Sequence, residues 1–79
     1  MLYPQDALRM IQRCQELTVP VLGIDAFRLR SDGIQPVSEQ SIDFTSSSNL
    51  TMPRAEIWTA ARDFVQQRLQ SGLVFEVVI

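Results

Sequence analysis

Histidine and lysine are absent from this 79-residue chain, and cysteine occurs once, as Cys14. Without histidine the usual imidazole metal ligand and general base are missing. One cysteine cannot form an internal disulfide. No apolar run approaches the ~18 residues that a membrane span needs, so no membrane partner is expected. Glycine is sparse as well, and the polar segment Thr45-Ser46-Ser47-Ser48-Asn49-Leu50-Thr51 lacks the glycines that a phosphate loop requires. No nucleophile is paired with a base, and no cluster has metal-ligand spacing. The expectation is a protein that is not an enzyme and uses no cofactor or metal.

Excess positive charge is also missing. Seven arginines against nine carboxylates give a net charge of -2 and a pI near 4.8. Nucleic acid binding needs a positive stripe that releases counterions from phosphates, so no nucleic acid partner is expected. A basic protein suits this balance better.

With 46% hydrophobic and 20% charged residues, the chain has the composition of a soluble globular protein. A chain this short buries only about 60 to 65% of its unfolded surface, which supports one core and one domain over residues 1–79. Its first residues, Met1-Leu2-Tyr3-Pro4-Gln5-Asp6, show no basic and then apolar leader pattern, so the expected compartment is the cytoplasm.

The first periodic stretch covers about residues 4–17. Pro4 suits a first helical turn and Asp6 places negative charge near the helix's positive end. At ~100° per residue Ala7, Leu8, Met10, Ile11, Cys14 and Leu17 share one half of the cylinder, opposite Arg9, Gln12, Arg13 and Glu16. Cys14 thus reads as a small buried hydrophobe, not as a reactive thiol, which would need an electropositive exposed setting. Thr18 and Pro20 end this helix, because the residue before proline is pushed towards extended geometry.

Val19-Pro20-Val21-Leu22-Gly23-Ile24-Asp25-Ala26-Phe27 follows as the expected central strand. Strand parity puts Leu22, Ile24 and Ala26 on one face and Val21, Gly23, Asp25 and Phe27 on the other. Neither face is uniformly polar, which suits pairing on both sides. Gly23 marks a bulge or a close backbone approach. After Arg28-Leu29-Arg30, Asp32-Gly33 signals a hairpin. On the return strand Ile34, Ile42 and Phe44 share the inward parity, and Glu39, Ser41, Asp43 and Thr45 the outward one. Pro36 cannot donate to a ladder, so this strand belongs at an edge or is broken near Pro36, and residues 34–45 form one strand or two.

Thr51 or Met52 is expected to cap a second helix over about residues 53–70. Ile57, Trp58, Ala61, Phe64, Val65 and Leu69 share its broad apolar face, and Ser71-Gly72 closes it. Trp58 belongs in the core or at its rim. Leu73-Val74-Phe75-Glu76-Val77-Val78-Ile79 reads as a strand beside the central one, with Leu73, Phe75, Val77 and Ile79 inward.

The fold class is therefore α+β, in the order helix, strand, strand, helix, strand. It is a two-layer sandwich: a three-stranded, mainly antiparallel sheet with both helices on one face. The bare face carries Asp25, Phe27, Glu39, Ser41, Asp43, Val74, Glu76 and Val78. It reads either as an ordinary solvated face, as a partner-binding surface, or as a self-association surface built on Phe27, Val74 and Val78, which would make a homodimer.

Val21-Leu22-Gly23-Ile24-Asp25 after an amphipathic helix resembles the corresponding segment of immunity proteins of the colicin E5 type and related bacterial toxin immunity proteins. Gly33-Ile34, the serine-containing segment from Ser38 to Thr45, and Ser71-Gly72 joining a helix to an apolar strand are similar and in the same order. The likeness spans most of the chain. It implies inhibition of a cognate ribonuclease toxin that cleaves tRNA anticodons, by filling the toxin's RNA-binding cleft with an acidic surface. The implied partner-binding residues are Asp25, Phe27, Glu39, Ser41, Asp43 and Glu76, with Phe27 or Phe44 in place of a stacked base. The chain departs from that pattern at Ile42 and Phe44, where those proteins carry tryptophan and tyrosine, and at Ala26 after Asp25. A small self-associating structural or regulatory module is the second reading.

Overall fold

The computed structural model describes residues 1–44 and 53–79; the polar loop from Thr45 and the capping position at Thr51 or Met52 lie outside the described residues. Helix α1 spans Pro4–Glu16, and strand β1 spans Gly23–Arg30. Strands β2 (Gly33–Pro36) and β3 (Ile42–Asp43) flank a 3-10 turn at Ser38–Gln40. Helix α2 (Arg54–Gln66) and strand β4 (Leu73–Val78) complete the chain. The α+β class and the presence of two helices follow the periodicity, but α2 stops at Gln66, short of the expected end near residue 70, and Leu69 is left exposed instead of on its apolar face. The return segment, however, is two short strands, so the antiparallel sheet has four.

Strand β1 is central. Phe27 pairs with both Pro36 of β2 and Val74 of β4, and Gly23 with both Asp43 of β3 and Val78 of β4, so β4 lies along one edge of β1 and β2 and β3 share the other. Beyond β4, Leu2 exchanges two backbone bonds with Phe75: each N–H donates to the other's carbonyl, at 2.7 and 2.8 Å. Both helices cover the sheet face carrying Ile24, Ala26, Leu73, Phe75 and Val77, which pack with Ala7, Ile11, Cys14, Trp58, Ala61 and Val65 in one core. The Phe64 and Phe75 rings meet edge to face at 6.5 Å, tying α2 to β4. Trp58 is buried, and its indole N–H donates to the Val19 carbonyl at 2.8 Å.

Helix α1 ends in a left-handed cap. The Val19 N–H donates to the Cys14 carbonyl (2.8 Å) and the Thr18 N–H to that of Gln15 (3.1 Å), with Thr18 at φ +55°. That position normally takes glycine, so threonine there carries strain. The turn leaves Leu17 56% exposed instead of on the apolar stripe. Regular strand alternation starts only at Gly23. Before it, Val21 is buried in the core and Leu22 is 41% exposed, the reverse of the sequence parity.

The hairpin closes at Arg30 opposite Gly33, with Ser31 and Asp32 as the loop. Of the hairpin residues only Gly33 has positive φ (+147°), and it sits just after the loop. Val37 donates to the Ala26 carbonyl at 2.9 Å, and by antiparallel alternation the nitrogen of Pro36, the preceding residue, faces away from β1. Proline therefore removes no ladder bond, as its edge position requires.

Between β2 and β3 the return segment carries three extra residues relative to β1, an odd number, and this inverts its faces. Ile34 turns outward opposite Leu29, whereas Ile42 and Phe44 turn inward, and Phe44 is buried. Ser41 closes the resulting gap. Its hydroxyl accepts the Ala26 N–H at 2.9 Å and donates to the Val37 carbonyl at 3.0 Å, replacing a backbone partner that the insertion displaced.

Ser41→Ala is expected to leave those two backbone groups without this partner and to lower stability by about 1–3 kcal/mol, as read by urea denaturation. Burial also raises the Cys14 thiol pKa above its ordinary 9.0. The unfolded thiol therefore ionises first. Its contribution is complete below about pH 9.0 and is lost as pH rises through the higher folded value. Melting followed between pH 8 and 10.5 should fall less steeply for Cys14→Ala than for the parent chain.

Candidate functional site

The sheet face away from the helices is the candidate site. Reading across the strands, Asp43, Gly23 and Val78 form one row; Asp25 and Glu76 form the next; Pro36, Phe27 and Val74 the third; and Ile34 with Leu29 the last. Carboxylates gather at one end and apolar side chains at the hairpin end.

Asp25 and Glu76 are directly opposite and both exposed. Like charges so placed repel, and neither forms an ion pair among the described residues. Among the described residues ion pairs lie on α1, Arg9 with Asp6 and Arg13 with Glu16. The other described arginine side chains are also held away from this face. Arg28 and Arg30 have the opposite strand parity, with Arg30 donating to Gln35. Arg62 donates to Gln15, joining the helices. Arg68 stacks on the Phe64 ring at 3.8 Å and donates to Gln40 at 2.8 Å.

Of the residues expected here, Asp25, Phe27, Asp43 and Glu76 do share the outer face. Phe27 is half-buried beside Val74, which is only 4% exposed and so contributes little open surface. Glu39 is exposed in the 3-10 turn, where strand parity no longer applies. Ser41 is committed to the backbone bonds described above, and Phe44 belongs to the core, so it cannot act as an exposed stacking ring. The parity argument missed Leu29 and Ile34, which face one another at 51% and 54% exposure. Pro36 was the available signal: a break there with an odd insertion reverses everything before it.

Gly23 shapes the acidic end. A Cβ at this position would lie 2.9 Å from the Ile42 carbonyl oxygen, so the backbone of β3 approaches too closely for any side chain. The space left above the glycine is a concavity of about 310 Å³ lined by Leu22, Gly23, Asp25, Ile42, Asp43 and Val78. Among the described residues no group of three His, Cys, Asp or Glu side chains is placed to hold a metal ion. No described helix is long and apolar enough to cross a membrane.

No protein-family model, curated protein or solved structure matches the chain.

Glu76→Gln should relieve the repulsion with Asp25 and raise stability by about 0.2–1 kcal/mol at low ionic strength. The gain should shrink in high salt, a comparison made by denaturation at the two ionic strengths. An unchanged gain in salt would show that a different interaction is responsible.

Proposed function

We propose that this chain is an immunity-type inhibitor that presents its outer sheet face to a basic protein, a bacterial ribonuclease toxin, and blocks the toxin's positively charged cleft. The observation that carries this reading is the sorting of charge: Asp25, Glu76 and Asp43 share one face on which no described basic side chain lies. Repulsion between Asp25 and Glu76 weakens the isolated fold, and a cationic partner would relieve it. The resemblance of Val21 through Asp25 and of the following segments to colicin E5-type immunity proteins supplies the nuclease as the partner class.

The face divides the work of binding. Carboxylates steer a basic partner and set specificity, whereas a few desolvated apolar anchors supply most of the affinity. Leu29 and Ile34 are placed for that second role, on the same face as the acidic rows. Inhibition by this route needs no catalytic group on the chain itself.

A second reading, self-association, rests on the same exposed Leu29 and Ile34 pair together with Val78. Light scattering separates it from the first: a monomer at all concentrations would remove it.

Co-purification from the native cell should recover a basic nuclease in one-to-one complex. Its association rate should fall about tenfold or more between low and high salt. Asp25→Asn, Asp43→Asn and Glu76→Gln should slow association, and Leu29→Ala should speed dissociation. A confirmed complex indifferent to all four changes would show that the inhibitor uses another surface.

A further inference from the structure

We infer that the concavity above Gly23 receives one cationic side chain of the partner, an arginine, and is the point at which the partner is anchored. This rests on the reading of the outer face as a protein-binding surface and names the group that this face takes.

The concavity is built into the backbone. It exists because the middle of the row from Asp43 to Val78 has no side chain, and the 2.9 Å approach of the Ile42 carbonyl keeps it so. The floor of this concavity of about 310 Å³ is therefore backbone, where β3 lies paired beside β1 at Gly23.

Its lining selects the ligand. Leu22 and Val78 offer apolar walls that are 41% and 37% exposed, while Asp25 and Asp43 bring carboxylates. Gly23 brings no side chain, and none of the other five lining residues has a side chain with a positive charge or, for the ionised carboxylates, a hydrogen-bond donor. An anion is repelled, and a neutral polar group leaves the carboxylate charge unmatched. A divalent ion such as calcium needs about six to eight oxygen ligands and gains nothing from aliphatic walls. A guanidinium fits all of these conditions. It presents five donors in a plane, pairs with a carboxylate through two parallel bonds, is weakly hydrated, and arrives on an aliphatic stem that Leu22 and Val78 can cover. Lysine satisfies the charge, but its compact ammonium is strongly hydrated and cannot make the planar pair. Asp43 has an interaction of its own, so Asp25 is the acceptor on which the assignment depends.

The test is a two-dimensional amide NMR titration of the full chain with Nα-acetyl-arginine methylamide, and in parallel with the lysine and glutamate equivalents. The arginine probe should give saturable shifts centred on Gly23, Asp25, Asp43 and Val78, several-fold tighter than the lysine probe, with none from glutamate. Asp25→Asn should weaken the arginine response about tenfold, the loss of one charge-assisted bond. Val78→Phe, which fills the concavity from an outward position and changes no charge, should abolish it while the melting temperature holds. Shifts scattered over the surface, equal shifts from lysine, or a response that survives Val78→Phe would overturn the inference. So would a concentration-dependent rise in mass lost in Arg28→Gln or Arg30→Gln, since the occupant would then be a second copy's hairpin. A nuclease complex weakened by Glu76→Gln but untouched by Val78→Phe would overturn the anchor and leave the binding face standing. A complex unaffected by any outer-face change would instead remove the face itself.

Discussion

A central strand must find partners for its backbone on both edges, and in this chain that requirement falls on β1. Along one edge β4 supplies a continuous antiparallel ladder from Gly23 to Arg28. Along the other edge the return segment carries three residues too many, and a bare break would strand the Ala26 N–H in the middle of the sheet. One hydroxyl resolves this. By accepting from Ala26 and donating to Val37, Ser41 lets β2 and β3 lie on a common edge in two different registers. The outward turn of Ile34, the inward turn of Phe44 and the close approach of β3 to Gly23 all follow from that accommodation.

The parts of the fold legible in the sequence are those where a single period persists. Both helices show an apolar stripe, and β4 keeps one register along β1, so Leu73, Phe75 and Val77 fall inward as their parity requires, although the outward Val74 is buried as well. The central strand was readable from Gly23 onward, and its glycine marked a close approach. What could not be read were the places where the period changes. Val21 and Leu22 precede the regular strand, so their faces are set by the turn after α1. Thr18 adopts a conformation that its own side chain disfavours, held there by the two bonds of the helix cap. The return segment changes phase inside a stretch that carries proline but no glycine. Candidate site residues divide along the same line: Asp25 and Glu76 lie on uninterrupted strands and were placed correctly, whereas Glu39 and Ser41 lie in the break.

The acidic end and the hairpin end of the outer face have different physical characters. At the acidic end, the Asp25 and Asp43 carboxylates border a concavity floored by a glycine. At the hairpin end Leu29 and Ile34 stand largely in water although they are paired with each other. Neither arrangement serves the isolated chain. Like-charge pairs lower stability, and an exposed aliphatic pair gains little from burial. Both features lie on one face, while the described arginines of the helices are paired or stacked.

The small bridge at Leu2 has a wider consequence. Unpaired strand edges are templates on which further chains can add, strand by strand, into fibrils. Here Leu2 occupies the outer edge of β4 at Phe75, and on the far side Pro36 presents a nitrogen that cannot donate to an incoming strand. Each edge is thus interrupted at one position by unrelated means, one a backbone clasp and the other an imino acid.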